Sequence, residues 1–206
     1  KPRADGRTLD PVTLEVIDNR FDEAVREMQH VLFRTGYSTI IRDSKDASAG
    51  VCLPDGRVVG QAFRLPLHAG VFPPTIAGIF EYYDREEIEP GDAFVVNDPY
   101  RCGANHSPDM VVATPVFFEG QLRAFCCTIA HKPDIGGLVP GTSSPDAREL
   151  YHEGLLLPPV KFRRAGEENK DIANVIGNNS RTPEVTLGDV RGQVGCTTVG
   201  VEKVTS

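Results

Sequence analysis

The chain has 206 residues, of which 40% are hydrophobic and 25% charged, with a net charge of -7. This length suits one globular domain with a sizeable core, and the negative charge argues against nucleic acid or an anionic membrane as a main partner. No apolar run approaches the ~20 residues of a transmembrane helix, and the N-terminus lacks the apolar core of a signal peptide. The five cysteines include no Cys-x-x-Cys pair, so we expect reduced thiols in a cytoplasmic protein.

Helical and extended patterns alternate along the chain. Asp10 followed by Pro11 predicts the start of a long amphipathic helix that ends near Gly36. The elements expected after it are a hairpin (50–60), a helix (75–84), a strand (93–96) and three further helices (145–153, 171–176 and from 183 to the end). We therefore expect an α/β fold of the α+β type. A mixed or antiparallel sheet with hairpins would pack against the long N-terminal helix and several shorter helices.

Two β-rich runs around Glu119-Gly120 predict a second hairpin. If the residues that flank this turn face each other, antiparallel register places Asp109 opposite Ala130, one residue from His131. Opposed residues lie about 4.5–5.5 Å apart at Cα, so the side chains of Asp109 and His131 could reach one ion. The hairpin is therefore expected to bring together two segments that are distant along the chain.

Each of those two segments pairs a histidine with an aspartate. The first is the His-x-x-Asp sequence from His106 to Asp109, and the second contains His131 and Asp134. Imidazole nitrogen and carboxylate oxygen are ligands that a divalent catalytic metal accepts. A lone histidine in a loop is more often a surface residue than a metal ligand. Two histidines, each near an aspartate and joined by a hairpin, bring the odds of a metal site against plain surface residues to about even.

Other polar residues have a structural and a functional interpretation. Asp43 and Asp46 most simply belong to a solvated charged loop. The alternative is that one of them supplies a further carboxylate ligand to the metal. His68 has apolar neighbours, so we expect a buried, hydrogen-bonded histidine or a residue at the entry of a helix, with substrate contact as the alternative. Asp98 belongs to a sequence that predicts a turn. Its alternative role is to hold the metal ligands in place or to contact a substrate. Glu153 is first of all an exposed polar residue of the predicted helix, with proton transfer as the alternative.

Taken with the surrounding residues, these motifs resemble those of the hydantoinase B/oxoprolinase family, which also includes ketone carboxylase subunits. The resemblance runs through the chain in order. The segments that carry it are 9–17, 34–38, 46–48, 66–68, 90–92, 97–109, 130–137, 153–154, 158–159, 181–184 and 188–189.

The resemblance implies a divalent metal, zinc, manganese or iron. Residue by residue, its ligands fall on Asp46, His106, Asp109 and His131, with Asp43 as the alternative to Asp46. Asp134 is then expected beside the ligands or the substrate rather than among the ligands.

The chain also departs from the family pattern. Lys132 stands where the family often has a second histidine, and Ala104-Asn105 stand in a segment that is usually glycine-rich. These changes leave the four expected ligands in place and leave the substrate open.

The resemblance further implies a function. A metal-dependent subunit of this kind would open a cyclic amide such as a hydantoin, oxoproline or a lactam. An A-type partner subunit would activate the substrate with ATP and magnesium in a hetero-oligomer, and this chain has no Walker phosphate loop. We expect residues 1–206 to be a single metal-binding catalytic domain, the N-terminal part of a longer B-type subunit. The alternatives are a subunit of an ATP-dependent ketone carboxylase and a non-catalytic scaffold.

Overall fold

The computed structural model describes residues 10–62, 65–141 and 144–206. Its strands are β1 (Ala47–Cys52), β2 (Val58–Ala62), β3 (Ala93–Val96), β4 (Asp109–Phe118), β5 (Gln121–His131), β6 (Val160–Arg164) and β7 (Glu167–Glu168). Its helices are α1 (Pro11–Thr35), α2 (Thr39–Arg42), α3 (Phe72–Tyr82), α4 (Pro99–Cys102), α5 (Lys170–Asn178) and α6 (Pro183–Thr205). The strands of these ranges form one antiparallel sheet in the order β2-β1-β5-β4-β3-β6-β7. The predicted α+β class is confirmed.

Helix α1 begins where the sequence predicts. The carboxylate of Asp10 accepts a hydrogen bond of 2.9 Å from the backbone N–H of Thr13, and Pro11 occupies the first helical position. Its second half buries Val25 and Met28 against the sheet. Among the described residues, no helix combines the length and apolar character that a membrane crossing needs.

The helix predicted over 145–153 is wrong for most of its length. Only a short 3-10 helix, Leu150–Glu153, forms there, and Glu149 before it has extended backbone angles. The physical reason is the lack of a buried face, because no side chain described between 144 and 153 is fully buried. Short helices in proteins depend on such packing for their stability.

Helices cover both faces of the sheet. On one face, α3 packs Phe72 and Ile76 against side chains that include Cys127 of β5. On the other face, α1 packs with Cys126 of β5 and Cys196 of α6. Adjacent residues of a strand point to opposite faces, so Cys126 and Cys127 belong to different halves of the core.

The β4–β5 hairpin has a register that differs from the predicted one by one residue. A bulge where Val116 pairs with Ala124 and Phe117 with Leu122 shifts the pairing, so Asp109 lies opposite His131 rather than Ala130. The bulge lies close to a proline at position 115, which cannot donate a ladder hydrogen bond. Beyond residue 113, β4 no longer pairs with β3, so that proline lies where one side of the strand is free of ladder bonds.

Candidate metal centre

Three neighbouring strand ends bring three of the four predicted metal ligands to one end of the sheet. Asp109 is the first residue of β4 and His131 is the last residue of β5, and the two are paired across the hairpin. Asp46 directly precedes β1, and its carbonyl oxygen accepts a hydrogen bond of 3.2 Å from the backbone N–H of His131. The antiparallel order β1-β5-β4 therefore places residues from distant parts of the chain side by side.

His106, Asp109 and His131 form a tight group at this end. Each offers a potential ligand atom, and these atoms all lie within 4.8 Å of one another. The Nε2 atom of His106 lies 3.0 Å from Oδ1 of Asp109, and Nδ1 of His131 lies 2.8 Å from the same oxygen. The ring centroids of the two histidines are 5.0 Å apart. Two imidazoles thus converge on one buried carboxylate oxygen.

Hydrogen bonds within this group shift the pKa values of Asp109 and His106 so that the charged form of each is favoured. Burial alone would raise the pKa of the Asp109 carboxyl, but hydrogen bonds with His106 and His131 outweigh it and hold that pKa below its ordinary value. The hydrogen bond with Asp109 in turn raises the pKa of His106, against the opposing effect of burial. Asp109 is therefore ionised at neutral pH although it is almost completely buried.

Asp46 and His68 lie beside the tight group rather than in it. The Nε2 atom of His68 lies 3.6 Å from Oδ1 of Asp46 and 3.9 Å from Oδ2 of Asp109. Its Nδ1 atom lies 2.9 Å from the hydroxyl oxygen of Ser48, and burial lowers the pKa of the ring. Its full burial favours an internal role over substrate contact.

The structure also separates the two neighbouring aspartates. Asp43 is exposed and lies 3.4 Å from the side chain of Arg42 in an ion pair on the surface. Asp46, three residues further on, lies at the strand end next to His68. Of the two alternatives, Asp46 is the one placed beside the cluster.

Asp98 and Asp134 have internal partners. Asp98 caps α4 by accepting hydrogen bonds from the backbone N–H groups of Tyr100 and Arg101. Asp134 is buried and bonds both the backbone and the guanidinium of Arg181, with 2.8 Å to Nη1. These contacts account for both carboxylates within the fold, and a role in substrate binding stays a prediction.

A polar cleft opens beside His106. Its volume is about 350 Å³, and its lining includes Tyr100, Asn105, Arg148 and Glu153. The carboxylate of Glu153 also accepts a hydrogen bond of 2.9 Å from the backbone N–H of Ser107. The side chain of His106 is 29% exposed, compared with 2% for Asp109, so this histidine is the member of the group that a molecule in the cleft would meet.

A buried lysine next to the group was not anticipated as a contact residue. The ammonium of Lys132 donates hydrogen bonds to the carbonyl of Ala130 at 2.9 Å and to Oε1 of Gln193 at 2.6 Å. Gln193 in turn donates to the carbonyl of Met110 at 3.0 Å, so α6 is tied to the ends of β4 and β5. Burial lowers the pKa of Lys132 to about 8. No local sequence signal could reveal this link, since Lys132 and Gln193 are 61 residues apart.

The donor set fits a divalent cation. It combines two imidazole nitrogens with an ionised carboxylate, while Asp46 supplies a second carboxylate close by. Such borderline and hard donors suit zinc, manganese or iron(II), and none of the described cysteines belongs to the group. The buried Nε2 atom of His68 has no hydrogen-bond partner in the described structure, which marks this corner as polar and incompletely satisfied.

An antiparallel α+β domain with clustered histidine and aspartate side chains at one sheet end defines the class of protein only broadly. The sequence profile of the Hydantoinase B/oxoprolinase family narrows it, because that profile matches residues 10–206. The chain belongs to this family.

Two curated relatives illustrate the family. The B-type subunit of a putative D-/L-hydantoinase from a Pseudomonas species is 33% identical over 209 residues, which cover 98% of this chain and 35% of that protein. The beta subunit of the caprolactamase from Pseudomonas jessenii is 35% identical over 195 residues, which cover 94% of this chain and 33% of that protein. The chain thus spans about a third of the length of these relatives.

Two solved structures share the fold. The crystal structure of the ATP-dependent caprolactamase from Pseudomonas jessenii superposes with a TM-score of 0.87 at 32% identity, covering 96% of this chain and 34% of that chain. A nucleotide-free acetone carboxylase structure superposes with a TM-score of 0.86 at 18% identity, covering 95% of this chain and 26% of that chain. The second likeness shows the fold alone.

Proposed function

We propose that this chain is the metal-binding part of a B-type subunit that hydrolyses a cyclic amide, with Asp46, His106, Asp109 and His131 as the metal ligands. One observation carries the proposal: His106 and His131 converge on a single buried oxygen of Asp109, at 3.0 and 2.8 Å. Asp46 joins this set because it lies at the adjacent strand end.

The residues of the centre have separable tasks. A bound zinc, manganese or iron(II) ion would polarise the amide carbonyl or lower the pKa of a bound water towards about 7. His106 faces the cleft and would define the edge of the site that the substrate reaches. Glu153 lines the same cleft and remains the candidate for proton transfer to the leaving amide nitrogen.

The substrate class and the partner rest on the named relatives. One relative is the B-type subunit of a putative hydantoinase and another is the beta subunit of a caprolactamase, and hydantoins and caprolactam are both cyclic amides. The related caprolactamase structure is that of an ATP-dependent enzyme. We therefore propose that this chain acts in a hetero-oligomer with an A-type subunit, which would bind ATP and magnesium.

The test uses the complete subunit together with its A-type partner. We expect stoichiometric divalent metal and ATP-dependent opening of at least one hydantoin, oxoproline or lactam. His106→Ala and His131→Ala should each lower metal affinity more than ~100-fold, since loss of a ligand should exceed the ~10–100-fold effect of a supporting residue. His152→Ala is the matched control, because His152 pairs with Glu149 at 3.2 Å outside the group.

Three results would contradict the proposal. Cyclic amide hydrolysis that survives His106→Ala and His131→Ala would exclude this group as the catalytic centre. ATP turnover that depends on bicarbonate and a ketone would identify a carboxylase subunit instead. Absence of stoichiometric metal would indicate a scaffold.

A further inference from the structure

His68 has surroundings that no other histidine of the described chain shares. It ends a short 3-10 helix, Pro66–His68, and its side chain is fully buried. Its Nδ1 atom is 2.9 Å from the hydroxyl of Ser48. Its Nε2 atom has no hydrogen-bond partner in the described structure, and carboxylate oxygens of Asp46 and Asp109 lie 3.6 and 3.9 Å away.

These neighbours decide where the ring hydrogen resides. Ionised carboxylate oxygens accept hydrogen bonds and cannot donate them. A lone pair on Nε2 would face two negative charges, whereas an N–H there faces two acceptors. These charges favour the tautomer with the hydrogen on Nε2, in which the hydroxyl of Ser48 would donate to Nδ1.

The two oxygens of Asp109 face different groups. Oδ1 is the atom approached by His106 and His131, at 3.0 and 2.8 Å. Oδ2 is the atom that faces His68, at 3.9 Å. His68 thus lies on the opposite oxygen of the carboxylate from the tight group, where a supporting residue rather than a ligand is expected.

We infer that His68 is a positioning residue, whose Nε2–H lies between the carboxylates of Asp46 and Asp109 and holds Asp46 at the metal centre. The inference rests on the metal site of the proposed function. Two carboxylates repel each other at close range, and an N–H directed at both reduces that repulsion. Carboxylates that bind metals are commonly held by polar groups outside the ligand set, and at 3.6 and 3.9 Å His68 acts on these two through electrostatic attraction rather than through a hydrogen bond. The hydroxyl of Ser48 contacts Nδ1 at 2.9 Å and holds the ring in this orientation.

The first test needs no metal. Long-range ¹H–¹⁵N correlation spectra of the metal-free subunit distinguish the two tautomers of each histidine. We expect His68 to show the Nε2–H form, because two carboxylates face that nitrogen. A wild-type His68 in the Nδ1–H form would overturn the inference, even where metal binding itself is normal.

The second test compares matched replacements by chelator competition for zinc and cobalt(II). His68→Gln keeps an N–H near the position of Nε2, whereas His68→Leu has a similar size and no donor. We expect His68→Leu to weaken metal binding about 10–100-fold and His68→Gln to stay much closer to the wild type. In an Asp46→Asn background the loss from His68→Leu should shrink, because the carboxylate it positions is no longer there.

The outcomes separate this inference from the proposed function. Equal losses of metal affinity in His68→Gln and His68→Leu, with an altered cobalt(II) absorption spectrum, would make His68 a direct ligand and overturn the positioning role. Unchanged metal affinity in both variants would overturn it as well. Circular dichroism of the metal-free variants reports their folding. If His68→Leu does not fold, Ser48→Ala decides the point, because it should weaken metal binding while preserving the fold. Failure of the wild type to bind metal would refute the proposed function, while the tautomer measurement still decides the inference.

Discussion

Asp109 is the residue on which the candidate metal centre depends. It is almost completely buried, and a buried carboxylate without partners would be strongly destabilising. The hydrogen bonds with His106 and His131 compensate for that burial and hold the pKa of the carboxyl below its ordinary value. The same three side chains supply a ready-made set of ligand atoms.

Asp46 and Asp43 allow a direct test of the ligand assignment. We expect Asp46→Asn to lower metal affinity more than ~10-fold, because it removes the second carboxylate of the centre. Asp43→Asn should change it less than ~2-fold, since Asp43 is exposed and forms a surface ion pair with Arg42. Isothermal titration with zinc measures both. Equal effects of the two substitutions on metal affinity would contradict the assignment of Asp46 as a ligand.

The hairpin of β4 and β5 shows how one local irregularity positions a site. Without the bulge, Asp109 would pair with Ala130, and His131 would lie on the opposite face of the sheet from its present position. The bulge places His131 directly opposite Asp109. It lies next to Pro115, at the part of β4 that no longer pairs with β3.

The packing of α3 against α4 is equally specific, and it lies just before the His106 loop in the chain. A Cβ atom added to Gly78 would lie 2.7 Å from the carbonyl oxygen of Arg101 and 2.7 Å from Sγ of Cys102. We expect Gly78→Ala to lower the free energy of unfolding by about 1–3 kcal/mol, because the backbone contact cannot relax easily. Urea denaturation of the metal-free protein measures this change.

Gly195 provides the control, because it is exposed in the middle of α6 and an added Cβ would meet nothing within 4 Å. Gly195→Ala should raise the free energy of unfolding by about 0.5–1 kcal/mol, since alanine favours a helix more than glycine. A destabilised Gly195→Ala or a neutral Gly78→Ala would contradict the helix packing described.

The protein as a whole buries its thiols on both sides of one sheet. All five cysteines are free and buried. Burial raises the pKa of Cys102 and of Cys126 to about 12, and it raises the pKa of Cys127 and Cys196 as well. An unfolded chain would expose these thiols, whose pKa would then return to about 8.5.

Stability should therefore fall in alkaline solution. Above the unfolded pKa of about 8.5, the unfolded chain loses thiol protons that the folded chain keeps, so each such thiol lowers the free energy of unfolding by about 1.4 kcal/mol per pH unit. Lys132, whose pKa burial lowers to about 8, has the opposite effect but is a single group against four thiols. Urea denaturation between pH 8 and 10.5 measures the slope. Cys126→Ala should make it shallower, and an unchanged slope would contradict the assignment.

Features set by neighbours along the chain could be predicted from the sequence. The cap of α1 by Asp10 and the pairing of His106 with Asp109 depend on residues three positions apart, and both are present in the structure. The contact between Ser48 and His68 spans 20 residues. It depends on how the 3-10 helix packs against β1, and no pattern in the sequence indicates it.

Read without the structure, the chain determines its α+β class, the approximate extents of most helices and strands, and the kinds of donor atoms available. These follow from periodicity, turn chemistry and residue type, which act over short distances. Only the tertiary structure decided the one-residue shift in the hairpin, the location of Asp46 rather than Asp43 beside the cluster, and the position of His68 between two carboxylates. The physical reason is that these features depend on side-chain packing and strand pairing between segments far apart in the chain.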